Sequence, residues 1–222
     1  MEEKFRNIFS KHGFNISDDI LNKFILFANV LLEENRKYNL IRFNSEEDMI
    51  ERHFVDSYIL SKEIDRGSLL DIGSGAGFPG IILAIVKDIK VTLVESISKK
   101  SNFLNMIVDR LCLNNIEVIN SRVEDIDKKD FDYTTARAVA SLPIISEYSM
   151  PLLRIGGKLL AQKGPRYKEE IEITNFDFLG SQLSKITEYK IMDRNFYIVE
   201  VVKISNKITK PRKNLRKIFS SQ

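Results

Sequence analysis

The stretch Leu69-Leu70-Asp71-Ile72-Gly73-Ser74-Gly75-Ala76-Gly77-Phe78-Pro79-Gly80 holds the densest chemistry in the chain. An apolar run ends in Asp71, turns through glycines and opens a helical pattern at Gly80-Ile81-Ile82-Leu83. Glycines are needed where the backbone takes positive φ or where a ligand approaches with no Cβ in the way. The alternative is a structural turn without a ligand. The spacing leaves two ligands open. Gly75-Ala76-Gly77-Phe78-Pro79-Gly80 satisfies the dinucleotide fingerprint, and Glu95 follows Gly75 at the distance of a ribose-binding acid. S-Adenosylmethionine instead has no pyrophosphate; its sulfonium, ammonium, ribose and adenine call for acids near several strand ends. Asp71 ends the first expected strand, Glu95 the second, and Glu124-Asp125 stand just past the third. Glu95 can accept both ribose hydroxyls, Val123 can cover an adenine face, and Glu124 or Asp125 can meet the exocyclic amine. Helix N-capping explains Asp125 but not Glu95 at the end of an apolar run. The row of acids favours S-adenosylmethionine.

Arg137 ends the fourth expected strand inside an apolar run, a costly place for an unpaired guanidinium. The strand-end rule for open α/β sheets favours contact with cofactor or base over a structural salt bridge. His53 lies one helical turn from Asp56, and an imidazole bonded to that carboxylate is expected ahead of direct contact with a substrate. The one cysteine, Cys112, is flanked by Leu111 and Leu113 and reads as a buried inert thiol. A single cysteine precludes an internal disulfide framework and a cysteine-based zinc site, and no metal motif is visible.

The elements that must position these groups change character along the chain. Residues 1–65 read as helical. Ser17-Asp18-Asp19 can cap a helix with Ile20, Leu21, Phe24, Phe27, Ala28, Leu31 and Leu32 at helical spacing. Ser45-Glu46-Glu47-Asp48 resembles a capping box before a second helix reaching about Ile64. From Ser68 onward short apolar runs (69–72, 91–94, 116–119, 133–138, 158–161) alternate with helical stretches (80–86, 98–113, 142–153, 167–183). Such alternation predicts parallel βαβ units in an open doubly wound sheet. Two β-rich runs, 185–191 and 196–204, then read as a hairpin. The expected class is α/β: a Rossmann-like methyltransferase fold with a mostly parallel sheet, a C-terminal antiparallel strand and an N-terminal helical extension. The division is 1–65 for the extension, 66–205 for the catalytic domain and 206–222 for a basic tail.

With 222 residues, 43% hydrophobic and 29% charged, the chain has the composition of a soluble domain that can bury a full core. The charged start leads into no secretory h-region, and the longest apolar stretches are too short for a bilayer, so a cytoplasmic setting is expected. The net charge of +3 is unevenly spread. Lys203, Lys207, Lys210, Arg212, Lys213, Arg216 and Lys217 lie in a terminus with no Asp or Glu, which leaves residues 1–202 with an acidic excess. Such a tail suits phosphate contact, the bland alternative being a solvated tail.

Taken together, Lys37-Tyr38-Asn39-Leu40, Arg52-His53-Phe54-Val55-Asp56-Ser57, the Asp71–Gly80 loop, Val94-Glu95-Ser96, Ser121-Arg122-Val123-Glu124, Ala136-Arg137-Ala138-Val139-Ala140 and Gln162-Lys163-Gly164 resemble the bacterial small-subunit (16S) ribosomal RNA guanine-N7 methyltransferases of the RsmG, or GidB, type. The resemblance covers most of the chain. It departs at Glu34, where the family often has Trp, at Ile41, where Thr is usual, and at Ala136, where Ser is frequent. It implies S-adenosylmethionine as cofactor, with contacts at Gly73, Phe78, Val123, Glu124 and Arg137. Asp71, Gly75 and Glu95 complete the expected cofactor set. The implied partner is 16S rRNA within the small subunit or its precursor, with Lys163, Lys210, Arg212, Lys213, Arg216 and Lys217 as candidate RNA contacts. Guanine N7 needs no general base, so the expected machinery is positional, by Arg137 with His53 beside it. Two competing readings remain: a small NAD(P)-dependent reductase, and a non-enzymatic RNA-binding protein on a Rossmann scaffold.

Overall fold

In the computed structural model, residues 1–213 and 215–220 are described, the side chains of Arg216, Lys217 and Ser220 excepted. Helix α1 (Glu2–Lys11) buries Phe5, Ile8 and Phe9 at helical spacing. Helix α2 (Asp18–Tyr38) starts at Ser17, whose Oγ accepts the Ile20 N–H at 3.4 Å, and ends at Asn39 in the left-handed conformation, φ 49°. Ser45 caps α3 (Glu46–Met49) through the Asp48 N–H. The helix then widens into a π-helical segment (Ile50–Val55) before α4 (Asp56–Leu60). Such wide turns recur at functional sites, and this one carries Arg52 and His53.

The rings of this extension do not end at its edge. Phe54 meets Phe5 edge-on at 5.0 Å, and Phe27 stacks on Phe78 of the glycine loop, also at 5.0 Å. One core cluster runs from Phe5 and Phe24 through Phe78 to Ile81 and Leu104. The helices of the first sixty residues are therefore packed on the sheet's helical layer by aromatic burial, and any ligand bound at the loop sits beside them.

The remaining elements follow as β1 (Gly67–Ile72), α5 (Gly80–Val86), β2 (Ile89–Val94), α6 (Ser98–Arg110), β3 (Ile116–Ile119), β4 (Phe131–Arg137), α7 (Leu142–Ser149), β5 (Leu153–Lys163), α8 (Tyr167–Glu172), α9 (Phe176–Leu179), β6 (Ser181–Ile191), β7 (Arg194–Lys203) and α10 (Leu215–Ser220). They form a sheet in the order β3-β2-β1-β4-β5-β7-β6. Strands β1 to β5 pair in parallel, and β7 is antiparallel to both its neighbours. The order reverses between β1 and β4, and open α/β sheets bind ligands in the crevice that such a reversal opens at the strands' carboxyl ends.

Several boundaries differ from the sequence expectation, each for a local reason. The expected helix over 167–183 is broken. Asn175 Oδ1 accepts the Phe178 N–H to start α9, Gly180 ends it at φ 64°, and β6 begins at Ser181. The hairpin turn is two residues, Met192 and Asp193, with φ of 48° and 60°, the left-handed pair that a tight antiparallel turn requires. Helix α6 stops at Arg110, so Cys112 sits at φ 52° in the following turn and is exposed, correcting the buried thiol. Among the described residues no helix is long and apolar enough to cross a membrane.

Candidate active site

A cavity of about 590 Å³ opens where the sheet order reverses. Its walls come from the glycine loop (Gly73, Gly75, Phe78), the ends of β4 and β5 (Arg137, Gln162, Lys163), strand β6 (Tyr189) and the helical extension (Arg52, His53, Asp56). A smaller hollow of about 100 Å³, lined by Val123, Glu124, Ser121 and Tyr148, shares Gly73 and Val139 with it. The two are lobes of one crevice with a waist at Gly73 and Val139. Gly73 has φ +69°, and a Cβ there would lie 2.8 Å from Val139 Cγ2. Only glycine fits that waist without strain.

The acids expected at the strand ends take different parts. Asp71 lines neither lobe. Its carboxyl is 1% exposed behind the loop, where Oδ2 accepts the Gly80 N–H at 3.1 Å and so caps α5. Burial pushes it up to about 7, against the Gly80 hydrogen bond. In this structure Asp71 supports the loop from behind through that hydrogen bond. Glu95 is also buried and lines neither lobe; its Oε2 accepts the Gly75 N–H at 2.9 Å and Oε1 the Ile97 N–H at 2.8 Å. Its carboxylate ties the loop at Gly75 to the turn after β2 at Ile97. Glu124 is exposed in the smaller lobe and accepts the Tyr148 hydroxyl at 3.1 Å, beside half-buried Val123. An apolar surface next to a carboxylate suits a flat base with an exocyclic amine. Phe78, 4% exposed, lines the larger lobe.

Arg137 stands at the centre of the larger lobe's polar wall. Its Nη1 donates to the Arg52 carbonyl at 3.0 Å and to Asp56 Oδ2 at 3.1 Å, and its guanidinium lies 5.4 Å from the Phe78 ring centroid. Nη2 approaches His53 Nδ1 at 2.8 Å. A guanidinium cannot accept, so Nδ1 is the acceptor and the imidazole carries its proton on Nε2. Burial, with the Arg137 charge beside it, pushes His53 down to about 3, so the ring is neutral at working pH. The expected His53–Asp56 bond is thus replaced: both residues turn to Arg137, which does form the salt bridge that the strand-end rule argued against. Asp56 also accepts the Tyr189 hydroxyl at 2.6 Å, and Gln162 Nε2 donates to the Asp56 carbonyl and to Tyr189, each at 3.2 Å. Sequence reasoning missed Tyr189, which no local pattern marks because strand pairing alone brings it to the crevice, and it quoted Val139 and Gln162 only within motifs, with no role for either.

The family model described as rRNA small subunit methyltransferase G, GidB, matches residues 20–197. The chain belongs to this family. It is 39% identical over 216 residues to the ribosomal RNA small subunit methyltransferase G of Clostridium botulinum (strain Alaska E43), covering 90% of each chain. To the protein of that name from Mesoplasma florum it is 44% identical over 166 residues, 72% of this chain and 70% of the other. Among solved structures it is similar to M. jannaschii TYW2 in complex with AdoMet, with TM-score 0.57 and 17% identity over 68% of this chain and 76% of that one. A SAM-dependent methyltransferase from Aquifex aeolicus gives TM-score 0.54 and 20% identity over 69% and 92%. These likenesses show the fold, a Rossmann-like methyltransferase fold. Membership of the GidB family displaces the reductase and the non-enzymatic readings.

The cations expected to meet RNA, and their neighbours in the tail, divide by their partners. Lys163 is buried in the cavity wall, donates to the Ala140 carbonyl at 2.8 Å and pairs with Glu170 at 2.8 Å. Glu170 Oε2 also accepts the Leu142 N–H at 2.6 Å, so the pair clamps the chain that leaves β4. In the tail, Arg212 grips Glu147, 1% exposed, through Nε and Nη2 at 2.8–3.1 Å. Lys203 is buried against the Leu153 carbonyl and Lys207 pairs with Asp177. Lys210 and Lys213 are exposed. The side chains of Arg216 and Lys217 lie outside those described.

Proposed function

We propose that this GidB-family protein transfers the methyl group of S-adenosylmethionine to N7 of a guanine in small-subunit (16S) rRNA. The observation that carries the reading is the state of the groups around Arg137. The guanidinium is held by Asp56, Arg52 and His53, and His53 is a neutral imidazole far too weak a base for proton abstraction. An acceptor that must lose a proton, such as a ribose hydroxyl, would call on a base in this wall. Guanine N7 has an in-plane lone pair and no proton, so it needs only to be placed.

Val123 and Glu124 suit the adenine end of the cofactor, and the loop at Gly73, Gly75 and Phe78 borders the rest of it. When bound, S-adenosylmethionine supplies an electrophilic methyl on a sulfonium centre. The protein's own work is to orient the base: Arg137, braced by Asp56 and His53 and lying over Phe78, offers a fixed planar donor to guanine O6, next to N7. Such positioning supplies about 7–11 kcal/mol in favourable cases. N7 faces a deep, narrow groove in duplex RNA, so the target lies in a loop or is turned out of its stack. The substrate form is the assembled subunit or its precursor, met in the cytoplasm.

Calorimetric titration with S-adenosylmethionine and NADPH, followed by labelled-methyl transfer to small subunits, large subunits and bulk tRNA, tests the assignment. Binding of S-adenosylmethionine alone and label in the small subunit are expected. Binding of NADPH, or label chiefly in large subunits or tRNA, would overturn it.

A further inference from the structure

We propose that Tyr38, Arg42, Lys99 and Lys100 form a subsite for a nucleotide flanking the methylated guanine, with its base stacked on Tyr38 and backbone phosphates held by Arg42 and Lys100. The inference rests on the reading of RNA as the substrate and adds where the strand runs.

The cations around the large cavity are not equivalent. Arg52 pairs with Asp48, Arg137 with Asp56 and Lys163 with Glu170. Arg42 and Lys100 line the same cavity and, among the described residues, have no carboxylate partner. Two uncompensated cations at the mouth of a crevice draw a polyanion toward it. The tail has Arg212 and Lys207 occupied by Glu147 and Asp177 and leaves Lys210 and Lys213 exposed. The mouth offers two such cations on the wall of the cavity itself.

The second observation is an exposed aromatic ring next to those cations. Tyr38 ends α2 and is 41% exposed, with the Lys99 ammonium over one face of its ring at 4.2 Å from the centroid, so a base would stack on the opposite face. Lys99 and Lys100 are successive residues in the first turn of α6, so Tyr38 lies against the rim of the cavity that Lys100 lines. The chain linking Tyr38 to Arg42 is held in place. Asn39 adopts φ 49° and donates to the Asn35 carbonyl, Asn35 Oδ1 accepts the Ile41 N–H at 2.8 Å, and Leu40 is buried. The ring and the guanidinium are thus presented from one braced turn. An acidic peptide would use the cations but not the flat ring. Single-stranded RNA uses both, stacking bases on aromatic faces while Lys and Arg track its phosphates.

Binding of undermethylated small subunits at several salt concentrations, with steady-state methyl transfer, tests this on full-length Tyr38→Ala, Tyr38→Phe and Arg42→Gln/Lys100→Gln. Loss of one stacked base should raise the subunit KM of Tyr38→Ala about tenfold, and Tyr38→Phe should restore it. The double variant should flatten the log–log salt slope of subunit binding by about 1.4, two phosphate contacts at about 0.7 each. Affinity for S-adenosylmethionine should stay within twofold in every variant. Unchanged KM in Tyr38→Ala together with an unchanged slope in the double variant would overturn the subsite. Loss of S-adenosylmethionine binding in the double variant would also overturn it, assigning those cations to the cofactor. Subunit binding is read without methyl transfer. A wild-type protein that binds with the steeper slope yet transfers no methyl counts against the proposed reaction and leaves the subsite standing.

Discussion

Replacing Arg137 with methionine separates bracing from positioning. The substitution keeps most of the aliphatic stem over Phe78 and deletes the planar donors. The Arg52 carbonyl, Asp56 Oδ2 and His53 Nδ1 each lose the partner now at 2.8–3.1 Å. Asp56 keeps the Tyr189 hydroxyl at 2.6 Å, so its charge is not left bare. Arg137 and Asp56 side chains are 19% and 10% exposed, which puts the cost near the low end for a broken buried pair, about 3 kcal/mol. For a chain of this length that is a fall in Tm of roughly 6–12 °C, and the protein stays folded at 25 °C. Methyl transfer should fall on the order of a hundredfold, the scale of a misplaced reactant. Adding Asp56→Asn removes the uncompensated charge and should recover much of the Tm but none of the turnover. Melting curves and labelled-methyl transfer on the single and double variants check this. Turnover within threefold of wild type in folded Arg137→Met would leave Arg137 a structural residue and refute the positional mechanism.

Gly73→Ala places a Cβ 2.8 Å from Val139 Cγ2 at φ +69°, so S-adenosylmethionine affinity should drop at least about tenfold by calorimetry, and Val139→Ala should recover part of it. Asp71 is raised from 3.8 to about 7, so its contribution to stability is full below 3.8 and is lost as pH rises through about 7. Asp71→Asn lacks this titration, so its Tm relative to wild type should rise between pH 5 and pH 8; parallel curves would show that the carboxyl is ionised throughout. Arg212→Ala leaves Glu147, 1% exposed, without its cation; Tm should fall by several degrees while the salt slope of subunit binding is kept. A flattened slope at full Tm would return Arg212 to the RNA contacts.

The parts of the fold written in local pattern were legible. Ser17 and Ser45 announce their helices, Gly80 opens α5 where expected, and apolar runs mark the parallel strands in order. What was not legible depends on direction and distance. A strand-end acid in a fully buried strand gives no alternation from which to read its face, so the hydrogen bonds of Asp71 to Gly80 and of Glu95 to Gly75 could not be foreseen. The His53–Asp56 pair was inferred from α-helical spacing, and the π-helical turn across Ile50–Val55 shifts that spacing. Arg137 finds partners more than eighty residues back in the chain, and Glu147 draws Arg212 across sixty-five, separations that no window of sequence reports. Tyr189 and Gln162 reach the site only because β6 and β5 flank β7 at the proper register.

The most direct measurement is the identity of the methylated nucleoside. Small subunits from cells lacking this protein, incubated with it and S-adenosylmethionine, are digested to nucleosides and resolved by mass spectrometry against methylated standards. The account predicts 7-methylguanosine as the one new product, present in small-subunit RNA and lost with Arg137→Met. A methyl on a ribose hydroxyl, an exocyclic amine or any other nucleobase position would contradict it.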